Sequence, residues 1–235
     1  MRTKELSIAL MAAIALLAVA GCGAASKIET VPSSGISSEA IEDLLSSAFV
    51  VEGFACQRKS TGSGIAVDEG ILTNAHVVAG ADELSVIDKN GKRYSAKIVS
   101  FDSQTDLALL DVEGLNVPSL PTAIPQKGVN GVALVGGDGT VKAIPAKIDR
   151  VVDINIADIY GDGEFRRKGL QLTAEISPGD SGGAILDNSG GVVGLVFSRS
   201  NNNDGVSYAV SSEEFHLVTD NVSGDSVDNG ECLRR

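Results

Sequence analysis

From Val50 to Val210 the apolar residues come in short runs of strand length, each bounded by turn formers. Ser63–Val67, Ile71–Thr73, Leu84–Ile87, Tyr94–Val99 and Leu107–Asp111 make a first series, with turn signals at Asp68-Glu69-Gly70 and Lys89-Asn90-Gly91. Residues 115–128 carry Pro118, Pro121 and Pro125 without a regular period and read as a connector. A second series follows: Gly131–Val135, Val141–Ile148, Val151–Ile159, Leu170–Thr173, Ala184–Leu186, Val192–Phe197 and Val206–Val210, with Gly161-Asp162-Gly163 as a hairpin tip. Two sets of about six strands, split by a Pro-bearing connector, predict an all-β fold of two six-stranded antiparallel β-barrels rather than an α/β sheet. Barrel one spans about 50–115 and barrel two about 129–210. Short helices flank them. Ser38 starts the first, with Ile41, Leu44, Leu45 and Ala48 at helical spacing; Ser211 and Glu214 have capping-box spacing ahead of Phe215, Leu217 and Val218.

The start of the chain sets the compartment. Arg2 and Lys4 precede Leu6–Ala20, a run of 15 residues whose only polar member is Ser7. That run is short for a membrane span, which needs about 20 residues, and suits an export signal. It closes on Val19-Ala20-Gly21-Cys22, which resembles a bacterial lipobox, in which the cysteine becomes the lipidated first residue. Residues 1–21 are then a lipoprotein signal peptide, Cys22 carries the acyl chains, and 22–38 is a flexible linker to a domain at 39–235. A simple cleaved signal ending near Ala20 is the plainer alternative. The protein is expected at the extracytoplasmic face of the cell membrane. With Cys22 lipidated, Cys56 and Cys232 remain, and two thiols in an exported chain are expected to be bonded. The formal charge of −12 repels phosphate backbones, which excludes a nucleic-acid partner.

Gly179-Asp180-Ser181-Gly182-Gly183 carries the chemistry. A serine hydroxyl is a poor nucleophile until a base lies within hydrogen-bond reach and a third group orients that base. The chain has only two histidines. His76 ends a strand that enters a small-residue turn, whereas His216 falls in the expected terminal helix, so His76 is the base. The orienting carboxylate is Asp106, just ahead of the apolar run Leu107-Ala108-Leu109-Leu110. Asp102 and Asp111 compete for that role but read as turn and structural residues.

Three blocks now resemble one family: Thr73-Asn74-Ala75-His76-Val77-Val78, Thr105-Asp106-Leu107-Ala108-Leu109-Leu110 and Pro178-Gly179-Asp180-Ser181-Gly182-Gly183 look like the catalytic blocks of chymotrypsin-fold serine proteases. The order His, Asp, Ser matches, with spacings of 30 and 75 residues. Val77 after the histidine and Gly205-Val206-Ser207-Tyr208-Ala209-Val210 resemble the HtrA-like branch. Closer still are the actinobacterial periplasmic proteases of the MarP type, which share a helix before the barrels and a cysteine pair near the ends of the domain. The chain departs from both. The MarP type is anchored by several membrane helices rather than a lipobox, and no peptide-binding module of the HtrA kind fits here.

The resemblance implies a chymotrypsin-like fold and a serine endopeptidase acting on proteins or peptides through an acyl-enzyme. Ser181 is the nucleophile, His76 the base and Asp106 its orienter; the N–H groups of Gly179 and Ser181 form the oxyanion hole. The pocket for the residue before the cut is expected from Glu175, Ile176, Phe197 and Ser198. Glu175 stands where an acid selects Arg or Lys, Ile176 where a closed pocket selects small aliphatic side chains, and the second is favoured. Glu175 should then turn to solvent or find a cation, which Arg166, Arg167 or Lys168 could supply. No cofactor or metal is implied. The oligomeric state stays open, with a monomer favoured. Two rival readings stand beside this one. A catalytically silent lipoprotein on the same fold is one; the other is an α/β-hydrolase, whose nucleophile elbow needs a helix directly after the serine, where this chain has strand, turn and strand.

Overall fold

The computed structural model describes residues 34–233. The expected signal peptide, Cys22 and the linker up to residue 33 lie outside the described residues. Helix α1 (Ser38–Leu44) comes first, capped by the Ser37 hydroxyl, which accepts the Ala40 N–H at 3.2 Å. Ile41 and Leu44 lay its apolar side on the core. A 3₁₀ turn (Leu45–Ser47) then leads into the strands.

Barrel one contains β1 (Ala48–Ala55), β2 (Arg58–Val67), β3 (Gly70–Thr73), β4 (Glu83–Ile87), β5 (Arg93–Asp102) and β6 (Leu107–Val112), with the short helix α2 (Ala75–Val78) between β3 and β4. Barrel two contains β7 (Asn130–Val135), β8 (Lys142–Ile156), β9 (Phe165–Thr173), β10 (Ala184–Leu186), β11 (Val192–Arg199) and β12 (Val206–Ser211), followed by α3 (His216–Thr219). Each set closes on itself, in the order β1-β2-β3-β6-β5-β4 and β10-β11-β12-β9-β8-β7, with antiparallel pairing throughout. The expected all-β fold of two six-stranded barrels is therefore the observed one.

Side-chain alternation explains why so many strands read as unbroken apolar runs. In β6, Ala108 and Leu110 fill barrel one, while Leu107 and Leu109 face the seam between the barrels. In β7, Ala133 and Val135 fill barrel two, while Val132 and Leu134 face the same seam. These strands are buried on both faces, so the polar half of a period-two pattern is missing. The seam is the larger core.

Two elements differ from expectation. Val141–Ile148 and Val151–Ile159 are one long strand, β8, not two. The polar pair Asp149-Arg150 looks like a turn in sequence but sits at a register shift between Ile148 and Arg150. The ladder skips one residue there and continues, and the Asp149 carboxylate accepts the Thr173 hydroxyl of β9 at 2.7 Å. The capping box before α3 is also only half formed. Ser211 accepts the Glu213 N–H at 3.3 Å, but Glu214 turns away to accept the Lys168 N–H at 2.7 Å.

Candidate active site

Strand β3 ends in buried Thr73, buried Asn74 leads into α2, and His76 stands just inside that helix. The turn from β5 to β6 brings up Asp106. Asp102 shapes that turn, its carboxylate accepting the Gln104 N–H at 2.9 Å and the Thr105 hydroxyl at 2.6 Å. Asp111 faces solvent and pairs with Lys97 at 3.2 Å. Asp106 adopts a left-handed φ of 61°, which a short polar side chain tolerates. Its carboxylate accepts the His76 backbone N–H at 2.9 Å, and His76 Nδ1 lies 2.9 and 2.8 Å from its two oxygens. Asn74 Nδ2 donates to the Asp106 carbonyl at 2.8 Å and fixes the turn from the other side. The His76 and Asp106 side chains are only 10% and 6% exposed. An ionised carboxylate is acceptor-only, so Nδ1 holds the proton and Nε2 offers a lone pair.

Ser181 lies on the turn from β9 to β10, locked to barrel one. Its carbonyl accepts the Ser63 N–H at 2.7 Å, and the Gly182 N–H donates to Val196 at 2.8 Å. Gly182 has φ 85°, and a Cβ there would sit 2.1 Å from the Ser63 carbonyl oxygen, so no larger residue fits. Strand β10, not a helix, follows the serine, which removes the α/β-hydrolase reading. Asp180 is buried and accepts N–H groups from Ser177 at 2.8 Å and Gly137 at 3.1 Å, which hold its carboxylate in place. Neither the Gly179 nor the Ser181 N–H donates to a protein acceptor among the described residues. Ser181 Oγ approaches the Phe197 carbonyl at 3.5 Å and makes no hydrogen bond to His76 in this conformation. Such contacts are often loose in a free enzyme and tighten on substrate.

A cleft of about 340 Å³ holds both His76 and Ser181. A larger groove of about 740 Å³ lies on barrel one around Glu52, Lys59 and Arg93, and it contains neither residue. Chemistry therefore selects the smaller one. Cys232 and Leu233 form part of its wall. Cys56 and Cys232 are bonded, with Cα atoms 6.2 Å apart. Cys56 and Gln57 are the left-handed pair of a two-residue hairpin turn between β1 and β2. The tail before Cys232 is tied to the end of α2, Asn229 Nδ2 donating to the Val78 and Ala81 carbonyls at 3.0 and 3.1 Å.

The four residues expected to shape the substrate pocket differ in exposure. Glu175 is exposed, and Ile176 is buried in the core of barrel two. Phe197 is half-buried and Ser198 exposed. None of the four lines the cleft that holds His76 and Ser181. Two of the three cations considered for Glu175 are taken: Arg166 pairs with Asp153 at 3.0 Å and Lys168 with Glu213 at 2.5 Å. Arg167 points the other way, 4% exposed, with its guanidinium 4.8 Å from the Phe197 ring centroid. The alternation along β9 was the available signal, since Arg166 and Lys168 face out and Arg167 must then face in. His216 is exposed on α3, its Nδ1 2.9 Å from the Glu213 carbonyl and remote from this cleft. Among the described residues no three His, Cys, Asp or Glu side chains group as metal ligands, and no helix is long and apolar enough to cross a membrane.

Comparisons with known proteins agree with one another. A family model described as a trypsin-like peptidase domain matches residues 62–195. The serine protease Rv3671c of Mycobacterium tuberculosis (strain ATCC 25618 / H37Rv) is 37% identical over 147 residues, covering 60% of this chain and 37% of that protein. A probable periplasmic serine endoprotease, DegP-like, of Halomonas elongata is 32% identical over 196 residues, covering 76% of this chain and 39% of that protein. The chain thus spans about two fifths of the length of the curated relatives it matches. The crystal structure of the Rv3671c protease in its active form superposes with a TM-score of 0.77 at 27% identity, over 87% of this chain and 95% of that one.

Proposed function

The chain belongs to the trypsin-like peptidase family, and we propose that it is an extracytoplasmic serine endopeptidase, held to the membrane by lipid on Cys22 and working through Ser181, His76 and Asp106. One observation carries the reading: His76 Nδ1 sits 2.8 Å from the Asp106 carboxylate, in the cleft that also holds Ser181. With Nδ1 protonated, Nε2 takes the Ser181 proton as Oγ attacks the peptide carbonyl. The carbonyl oxygen becomes an oxyanion, received by the unpartnered N–H groups of Gly179 and Ser181. The imidazolium then returns its proton to the leaving amine, and water repeats the cycle on the acyl-enzyme.

The location rests on the apolar leader and on relatives named as periplasmic. The domain at 39–235, the linker at 22–38 and the anchor at Cys22 belong to the same proposal. A Cys22→Ala variant is expected to leave the membrane fraction; its retention there contradicts the anchor.

For specificity we favour a small or medium apolar residue before the cut. Exposed Glu175 is poorly placed to hold a buried Arg or Lys, and apolar pockets discriminate by about 1–3 kcal/mol per methylene. A peptide library digested by the full, oxidised chain is expected to show that preference, unchanged in Glu175→Ala. Loss of cleavage after Arg or Lys in the variant alone would reinstate the acidic pocket. No cleavage of any peptide by the wild type would count against the protease reading itself.

A further inference from the structure

Arg167 is the one cation of β9 that the surface charges do not explain. Its side chain is buried, Nη1 reaches the Gln104 carbonyl only at 3.4 Å, and Nε has no partner among the described residues. A buried guanidinium left this under-bonded is costly unless neighbouring charge offsets it. The offset comes from three carboxylates, Asp106, Asp102 and Glu214, none close enough to form an ion pair. The Phe197 ring covers one guanidinium face at 4.8 Å. The Phe197 carbonyl lies 3.5 Å from Ser181 Oγ. Arg167 therefore approaches the three residues from two sides: at the Gln104 carbonyl, in the turn that carries Asp106, and at the Phe197 ring, on the strand that passes beside Ser181.

Resting on the protease reading above, we propose that Arg167 is a positioning residue, whose buried positive charge opposes protonation of His76. The charges facing the pair can be named. Asp106 lies against Nδ1 at 2.8 Å. Asp102, at the end of β5, is engaged by Thr105 and Gln104. Glu214, before α3, is engaged by the Lys168 N–H. On the open side Arg58 and Lys59 of β2 line the cleft, Lys59 being paired with Glu52 at 2.5 Å. Arg167 is the buried cation of this set, and solvent screens a buried charge less than an exposed one. Burial pulls the guanidinium below its ordinary range and the three carboxylates push it back, so it stays charged at any working pH.

The sign follows from the charge. A cation beside the base disfavours bound proton, so the acid limb of activity lies lower with Arg167 than without it. The test is kcat/KM against pH for wild type, Arg167→Met and Arg167→Lys, each normalised to active sites by fluorophosphonate titration. Arg167→Met is expected to move the acid limb upward by about half to one pH unit, at a charge separation beyond ion-pair range. Arg167→Lys keeps the charge and should leave the limb within about 0.2 units of wild type. A merely structural role predicts a uniform loss of kcat with the limb unmoved, and that result overturns the proposal, as does an equal shift in both variants. Should Arg167→Met not fold, Arg167→Gln, which keeps a donor for the Gln104 carbonyl but no charge, takes its place: an upward shift supports the proposal and an unmoved limb overturns it. A wild type that neither cleaves nor labels would instead defeat the protease reading, so the two failures are distinguishable.

Discussion

Replacing Asp106 by Asn is expected to lower kcat by about four orders of magnitude while leaving the fold intact. The fold should survive because Asn tolerates the left-handed φ of 61° and still offers an oxygen to the His76 N–H. The Asn74 bond goes to the Asp106 backbone carbonyl and is untouched. Activity should not survive. In the native chain both carboxylate oxygens lie 2.8–2.9 Å from Nδ1 and can only accept, so the proton stays on Nδ1. An amide can present its NH2 to Nδ1 instead, which drives the proton to Nε2 and removes the lone pair that Ser181 needs. Steady-state cleavage of a peptide substrate, with circular dichroism as the control for folding, checks it. A kcat within tenfold of wild type would show that Asp106 does not set the tautomer.

The second large effect is on stability. Cys56 and Cys232 close a loop of 176 residues, and the chain-entropy model gives such a closure up to roughly 5 kcal/mol. The tail is also held by Ser223 and Val227 N–H groups on the Val99 and Ile98 carbonyls, and by Asn229 at α2. Those contacts form in the folded state with or without the bond, so losing it should act chiefly by freeing the unfolded chain. Cys232→Ser is expected to cost about 2–5 kcal/mol and to lower Tm by about 10 °C for a domain of this size. Differential scanning calorimetry of wild type and variant measures it. A Tm within 2 °C of wild type would mean that the unfolded chain gains little freedom when the bond is lost.

The parts of the molecule that could be read from sequence are those that chemistry makes local. His76, Asp106 and Ser181 each sit in a short block whose neighbours shape one turn: Asn74 before His76, Asp102 and Thr105 before Asp106, Gly179 and Gly182 around Ser181. The two barrels were also legible, because closure needs many short strands and the turns that separate them leave a mark. What escaped was direction. Counting back from Ser181 identifies Glu175 and Ile176 but not which of them faces in, since the segment belongs to no strand. Asp149-Arg150 was misread because a bulge and a turn use the same polar residues. Arg167 was hidden in a basic triplet whose outer members are ordinary surface charges; only a strand running through all three turns the middle one inward.

The account stands on Ser181 being a nucleophile activated within this fold, and labelling tests that without knowledge of the natural substrate. The full chain, oxidised and folded, is treated with a fluorophosphonate probe and the modified residue located by mass spectrometry. The expected result is near-stoichiometric labelling on Ser181, absent in Ser181→Ala and strongly slowed in His76→Ala. No labelling of the folded wild type, or equal labelling of Ser181→Ala, would contradict the account.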